Sequence, residues 1–249
     1  MPIILGLIIV VAFLFSMVGM GGGQVYTPAF YWLGLDVHTA AVPLALWLSF
    51  VTQSTAAINY ARQGLVKFYT GLPIIAGLIA FAPLGAVFSH RISDSVVMFL
   101  FATMTLAAVA QTLAGWKPET SRLGRRDLLL IGLLAGSLIG FLGGMVGRGG
   151  GSLIVPLLLL LGFQPKNAAA TSSFAACFSA LAGFLGHLGA SGIPAPPLWL
   201  AAFTAAAVLA ASAGSRTMAR RLDARRVKRL FTVVLLGIAA KLYWDVFTR

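Results

Sequence analysis

The residues best suited to chemistry sit in two glycine-rich elements, MVGMGGGQVYTP from Met17 to Pro28 and MVGRGGGSLIVP from Met145 to Pro156. Each contains three successive glycines, Gly21, Gly22 and Gly23 or Gly149, Gly150 and Gly151, followed by a polar residue, Gln24 or Ser152. Glycine accepts positive φ and close backbone approach. A helix that starts just after such a run presents N–H groups with no intrahelical acceptor, with the positive end of its dipole behind them. That geometry binds anions. Only the second element carries a charge, Arg148, where the first has Met20.

Further polar side chains fall inside otherwise apolar runs. Thr171, Ser172 and Ser173 open a long span after the second element and could donate hydroxyls to an oxyanion or bond between helices. Ser49, Thr52 and Gln53 lie near the middle of the corresponding span in the first half. Asn59 and His187 occupy equivalent places and read either as site residues or as polar contacts near helix ends, whereas His38 and His90 are expected at the surface. Arg148 has no acidic neighbour in the sequence, because Asp36, Asp94, Glu119, Asp127, Asp223 and Asp245 all fall in loops or at run ends. An unpaired charge inside a membrane costs at least about 2.5 kcal/mol, so carbonyls, water or a bound anion must help it.

Much common chemistry is excluded. There is no paired set of buried carboxylates, no metal-ligand cluster and no nucleophile beside a base, so neither an enzyme nor a cofactor or metal protein is expected. The single cysteine, Cys177, lies in an apolar run and reads as a packing residue.

The elements that must position these residues are membrane helices. Of the 249 residues, 59% are hydrophobic and 10% charged, and apolar runs long enough to span a core of about 30 Å recur along the chain. The fold class is all-α and polytopic. The net charge of +12 comes from basic loops between apolar runs, which points to membrane orientation and not to nucleic acid. The first residues lack a basic start and a small-residue cleavage site, so they are expected to be retained.

Shifting the chain by 128 residues superposes the two glycine elements, Leu33-Gly34 on Leu161-Gly162, Ala40-Ala41 on Ala168-Ala169, and Gly64 on Gly192. Two repeats, 1–115 and 128–249, are joined by a polar linker, 116–127. Each reads as a glycine-broken pair followed by three spans, near 3–18, 25–34, 38–61, 68–88 and 95–115, then 128–146, 152–162, 167–188, 198–215 and 230–247. If each broken pair made one crossing, the loop charges would divide almost evenly. If each pair enters and turns back, the repeats are inverted, and fourteen loop Lys and Arg residues gather on one face against Arg91 and Arg249 on the other. The positive-inside rule selects the inverted arrangement, with basic loops in the cytoplasm and both termini outside. Inverted repeats with broken helices place substrate at their junction. The glycines of GLLAGSLIGFLG, Gly132, Gly136 and Gly140, read instead as helix-packing residues.

With GMGGGQVYTP, GRGGGSLIVP and the NAAATSS that follows the second, the chain resembles the TauE/SafE family of sulfite exporters along essentially its whole length. The resemblance implies a secondary transporter of the bacterial inner membrane that moves sulfite, sulfoacetate or related organosulfonates, as a homodimer. It carries the family's glycine elements onto Gly19, Gly21, Gly22, Gly23 and Pro28, and onto Gly147, Gly149, Gly150, Gly151 and Pro156. Its Thr-Ser element lands only on Thr171 and Ser172, since Pro43 stands at the place matching Thr171. The functional expectation is a carrier of small sulfur-containing anions working by alternating access. The alternatives are a carrier of thiosulfate or a carboxylate, or a non-transporting scaffold that holds a partner or anionic membrane lipid.

Overall fold

The computed structural model describes residues 2–114, 125–221 and 236–245, and no strand occurs among them. The first repeat contains α1 (Pro2–Val18), α2 (Gly23–Trp32), α3 (Val42–Arg62), α4 (Phe68–Ser89) and α5 (Asp94–Ala114), with a π-helical turn at Val37–Ala41 leading into α3. The second contains α6 (Arg125–Val146), α7 (Gly151–Leu160), α8 (Pro165–Ser191) and α9 (Pro197–Arg221), and 236–245 forms a further helix, α10. These bounds largely follow the runs expected from the sequence, although α9 continues from the expected end at 215 through Arg221 and takes Arg216, Arg220 and Arg221 into the helix. Another difference is that α6 begins at Arg125, inside the expected linker, where Asp127 in its first turn complements the helix dipole. Most of the linker, including Trp116, Lys117 and Arg122, lies outside the described residues, as do Arg225, Arg226, Lys228, Arg229 and Arg249.

Five helical segments are long and apolar enough to cross a bilayer, among them Val37–Arg62 and Lys166–Ser191. Their outward faces are bare aliphatic surface: Leu134, Leu138, Leu198 and Leu209 are each more than 60% exposed. Such a surface suits lipid and not water. The chain is a multi-pass membrane protein. Helices α2 and α7 have ten residues each, about 15 Å of rise, and reach through only about half the hydrocarbon core.

Packing depends on small residues, as it must where lipid removes the hydrophobic drive between helices. Along α4 and α6, Gly136 abuts Ile74, Gly140 abuts Leu78 and Gly144 abuts Ala82, each step four residues on both helices. The two helices therefore run parallel with their backbones close together. This is the packing role expected of Gly136 and Gly140. Helices α1 and α9 pair in the same way, Gly214 against the Phe13 carbonyl, as Gly85 lies against that of Phe141, the residue 128 positions after Phe13.

Helices at corresponding places in the two glycine-led halves have corresponding neighbours. Helix α4 packs on α6 and α8, its counterpart α9 packs on α1 and α3, and the equivalent helices α3 and α8 pack on each other at the centre. Leu46 meets Gly183 near one end of that central pair, and Tyr60 clusters with Ala170 near the other. Helices α3 and α8 are thus antiparallel.

Candidate functional site

Each break is built from the same backbone. At the end of α1 the amides of Gly19 and Met20 both donate to the Phe15 carbonyl, and at the end of α6 those of Gly147 and Arg148 both donate to Gly143. The chain then needs positive φ three times, at Gly19, Gly21 and Gly22 and again at Gly147, Gly149 and Gly150, with values from 63° to 83°. Residues with a Cβ resist that conformation. The intervening position has no such requirement, so it tolerates Met20 in one repeat and Arg148 in the other.

The last glycine of each run answers a different demand. A Cβ added at Gly23 would lie 2.6 Å from the Gly147 carbonyl oxygen and 3.0 Å from Arg148 Cα. One added at Gly151 would lie 3.1 Å from the Gly19 carbonyl oxygen and 3.1 Å from Met20 Cα. The two contacts exchange when the repeats exchange, as a two-fold relation requires. The breaks therefore cross each other backbone to backbone.

The side-chain amide of Gln53, from α3, occupies this crossing. It touches Gly21, would lie 3.1 Å from a Cβ on the equivalent Gly149, and would lie 3.2 Å from one on Gly151. Ser49, one turn earlier, faces Gly23. Two hydroxyls lock the breaks in place: Thr27 donates to the Gly147 carbonyl at 3.3 Å, and Ser172 donates to those of Gly19 and Gly151 at 3.2 and 3.0 Å. Gly19 and Gly147 are equivalent acceptors served by donors from non-equivalent positions.

Arg148 is fully buried, its guanidinium carbon 5.1 Å from the centre of the Phe101 ring of α5. Cation–π attraction supplies part of what water would. Among the described residues, none of its three side-chain nitrogens has a hydrogen-bond partner. The same is true of the buried Gln24 Oε1, Ser49 Oγ, both ends of the Gln53 amide, Ser152 Oγ and Ser179 Oγ. Backbone bonding in α2 begins with the amides of Val25 and Tyr26 on Gly22, and in α7 with those of Leu153 and Ile154 on Gly150. The amides of Gly23, Gln24, Gly151 and Ser152 precede those first bonds. Each unsatisfied buried group costs about 1–3 kcal/mol, and native proteins carry few of them. Unpaired hydroxyls and an unpaired amide on the elements of the crossing, together with one buried cation, are suited to a small anion.

The structure thus brings together Gly21, Gly23, Arg148, Gly149, Gly151 and Ser172; Gln24 and Ser152 follow in the chain, buried at the starts of α2 and α7, while Gly22 packs on Val11 and Tyr26 and Gly150 on Ile139 and Leu78. The remaining sequence candidates make their bonds elsewhere. Thr171 Oγ1 accepts from the Lys67 amide ahead of α4 at 3.0 Å, and Ser173 donates to Ala169 of its own helix at 3.0 Å. Asn59 donates to Ser215 Oγ of α9 at 2.7 Å. His187 donates to the Gly144 carbonyl at 3.1 Å and meets His90. His38 and His90, expected at the surface, are half-buried instead. Ser179 and Phe101 escaped the sequence reading because a serine or a phenylalanine in an apolar helix carries no positional signal. Gln53 had one: the residue 128 positions later is Leu181.

Comparison with known proteins identifies the family. A family model described as sulfite exporter TauE/SafE matches residues 4–242. The probable membrane transporter protein YunE of Bacillus subtilis is 25% identical over 92% of both chains. The probable membrane transporter protein y4hK of Sinorhizobium fredii is 26% identical over 94% of this chain and 95% of its own. Sulfite exporter TauE/SafE family protein 1 of Arabidopsis thaliana is 32% identical over 46% of this chain and 27% of its own. No solved structure matches.

Proposed function

The chain belongs to the sulfite exporter TauE/SafE family, and we propose that it carries small sulfur-containing anions across the membrane by alternating access at the crossing of its two glycine breaks. The observation that carries this reading is Arg148, a fully buried guanidinium with no hydrogen-bond partner among the described residues, whose backbone lies at the crossing of the two breaks. An oxyanion such as sulfite or a sulfonate offers several acceptor oxygens and a negative charge, which together answer those donors. Gln53 and Ser49 complete the proposed shell, and Gln53 contacts both glycine breaks.

Alternating access needs a site that both faces can reach. In our reading the repeats are inverted across a bacterial inner membrane, with the loops around Arg62, Lys67 and Lys166 in the cytoplasm. The antiparallel run of the equivalent helices α3 and α8 supports this, as does the bond from the Lys67 amide to Thr171, which joins two loops assigned to the same face. If each broken pair made a single crossing, those loops would lie on opposite faces. The symmetric packing of α4 on α6 and α9 on α1 makes two bodies that can rock about the crossing.

Counterflow in proteoliposomes tests the reading. Vesicles preloaded with sulfite, sulfoacetate or thiosulfate are expected to take up the labelled anion in exchange, and vesicles loaded with a cationic solute are not. Absence of exchange for every small anion would overturn it.

A further inference from the structure

All three histidines of the chain, far apart in sequence, converge at one end of the helices. His38 comes from the π-helical turn before α3, His90 from the end of α4 and His187 from the last turns of α8. His38 Nε2 lies 2.9 Å from a carboxylate oxygen of Asp94, the ring centres of His38 and His90 are 5.4 Å apart, and His90 Nε2 lies 3.2 Å from His187 Nδ1. His187 Nε2 then reaches the Gly144 carbonyl at 3.1 Å. The series runs from solvent to interior: Asp94 is 49% exposed, His38 17% and His187 not at all.

The acceptors fix the protons. A carbonyl only accepts, so His187 carries its proton on Nε2 and accepts on Nδ1, and His90 must donate from Nε2. In the neutral row His90 Nδ1 therefore keeps a lone pair, and so does His38 Nδ1, which is buried without a partner. One proton can be added at either lone pair, and no existing bond to Asp94 or Gly144 breaks.

We propose that His38, His90 and His187 form a proton-binding relay that takes up one proton together with the transported anion. This rests on the transport reading above. The inner end of the row is tied to the site: Gly144 is in the last turn of α6, and the neighbouring Gly143 carbonyl holds the amides of Gly147 and Arg148. A proton on the relay and the cation at Arg148 repel, and an anion between them relieves the repulsion, so each favours binding of the other. Among the described residues, the other titratable or charged groups at this end are Asp36, Asp94, Arg91, and Lys241 and Asp245 against Trp32 at the end of α2. The amide of Thr39, helped by its hydroxyl, holds the Asp36 carboxyl below its usual range. Arg91 is exposed. Burial, and then the nearby His38, hold the proton affinity of His90 below its usual range, and the Asp36 carboxylate acts in the opposite direction, as a neighbouring anion would.

The probe is labelled thiosulfate, which does not titrate near neutrality, in proteoliposomes containing the full chain. With external pH one unit below internal pH, wild type is expected to accumulate thiosulfate up to about tenfold per coupled proton. His90→Gln, and separately His38→Gln, are expected to keep counterflow at constant pH and lose this accumulation; retained counterflow also shows that the variant is folded. Accumulation undiminished in both variants would overturn the relay, and counterflow without pH-driven accumulation in wild type would overturn proton coupling. Absence of any counterflow in wild type would instead overturn the transport reading, and the relay with it.

Discussion

The side-chain amide nitrogen of Gln53 lies against both Gly149 and Gly21, residues 128 positions apart that occupy the same place in the two glycine elements. One neutral side chain thus contacts both glycine breaks, and among the described residues neither its donor nor its acceptor has a partner. A purely structural residue there would be bonded or apolar.

Gln53→Leu should therefore leave the fold intact, or stabilise it by removing unsatisfied polar atoms, while weakening anion exchange at least about tenfold for a lost hydrogen bond to a charged ligand. Gln53→Glu should be worse than Gln53→Leu, because it adds a carboxylate where the anion binds. Counterflow rates with thermal unfolding as the control check both. Equal exchange in all three proteins would remove Gln53 from the site.

The glycines divide into two classes with different penalties. Gly34 and Gly162 have φ of 84° and open space around them, so alanine there should cost only about 1 kcal/mol of backbone strain. Alanine at Gly21 combines positive φ with a clash against Gln53 and should cost more, by about 1–3 kcal/mol of overpacking. Gly23→Ala has no positive φ to satisfy, yet it meets the Gly147 carbonyl and should cost about as much as other overpacked sites. Unfolding midpoints in detergent give the ranking; if Gly34→Ala were as damaging as Gly21→Ala, crowding at the crossing would not be the reason for the glycine run.

Much of this architecture was legible beforehand, because a duplicated apolar pattern with glycine breaks leaves few arrangements. The first nine runs, the packing role of Gly136 and Gly140 and the importance of the two glycine breaks could be read from spacing. The hydroxyls were not. Thr171, Ser172 and Ser173 are consecutive, so on a helix they point in three directions about 100° apart, and only Ser172 reaches the breaks. Thr27 does the same for the other break from an unrelated position, and no repeat comparison would pair it with Ser172. The convergence of the three histidines was equally hidden, because it depends on which helix ends meet.

Topology gives an independent check. With Cys177 replaced by alanine, single cysteines at Arg62 and Lys166 should be labelled from the same side of the membrane by an impermeant reagent, and a cysteine at Arg91 from the other. Opposite labelling of the first two would mean that each broken pair makes a full crossing, which contradicts the inverted reading.

Arg148→Met is the most direct test of the central claim, because methionine is what the other repeat places at the equivalent position. Removal of an unpaired buried charge should raise the unfolding temperature of the empty protein. It should also weaken oxyanion binding by about 2–5 kcal/mol, the usual loss when one member of a buried charge pair is truncated. Binding of sulfite, sulfoacetate and thiosulfate to purified wild type and variant, measured by calorimetry, should therefore show affinity for at least one anion in wild type and its loss in a more stable variant. Unchanged affinity in the variant would contradict the assignment of the glycine crossing and Arg148 as the anion site.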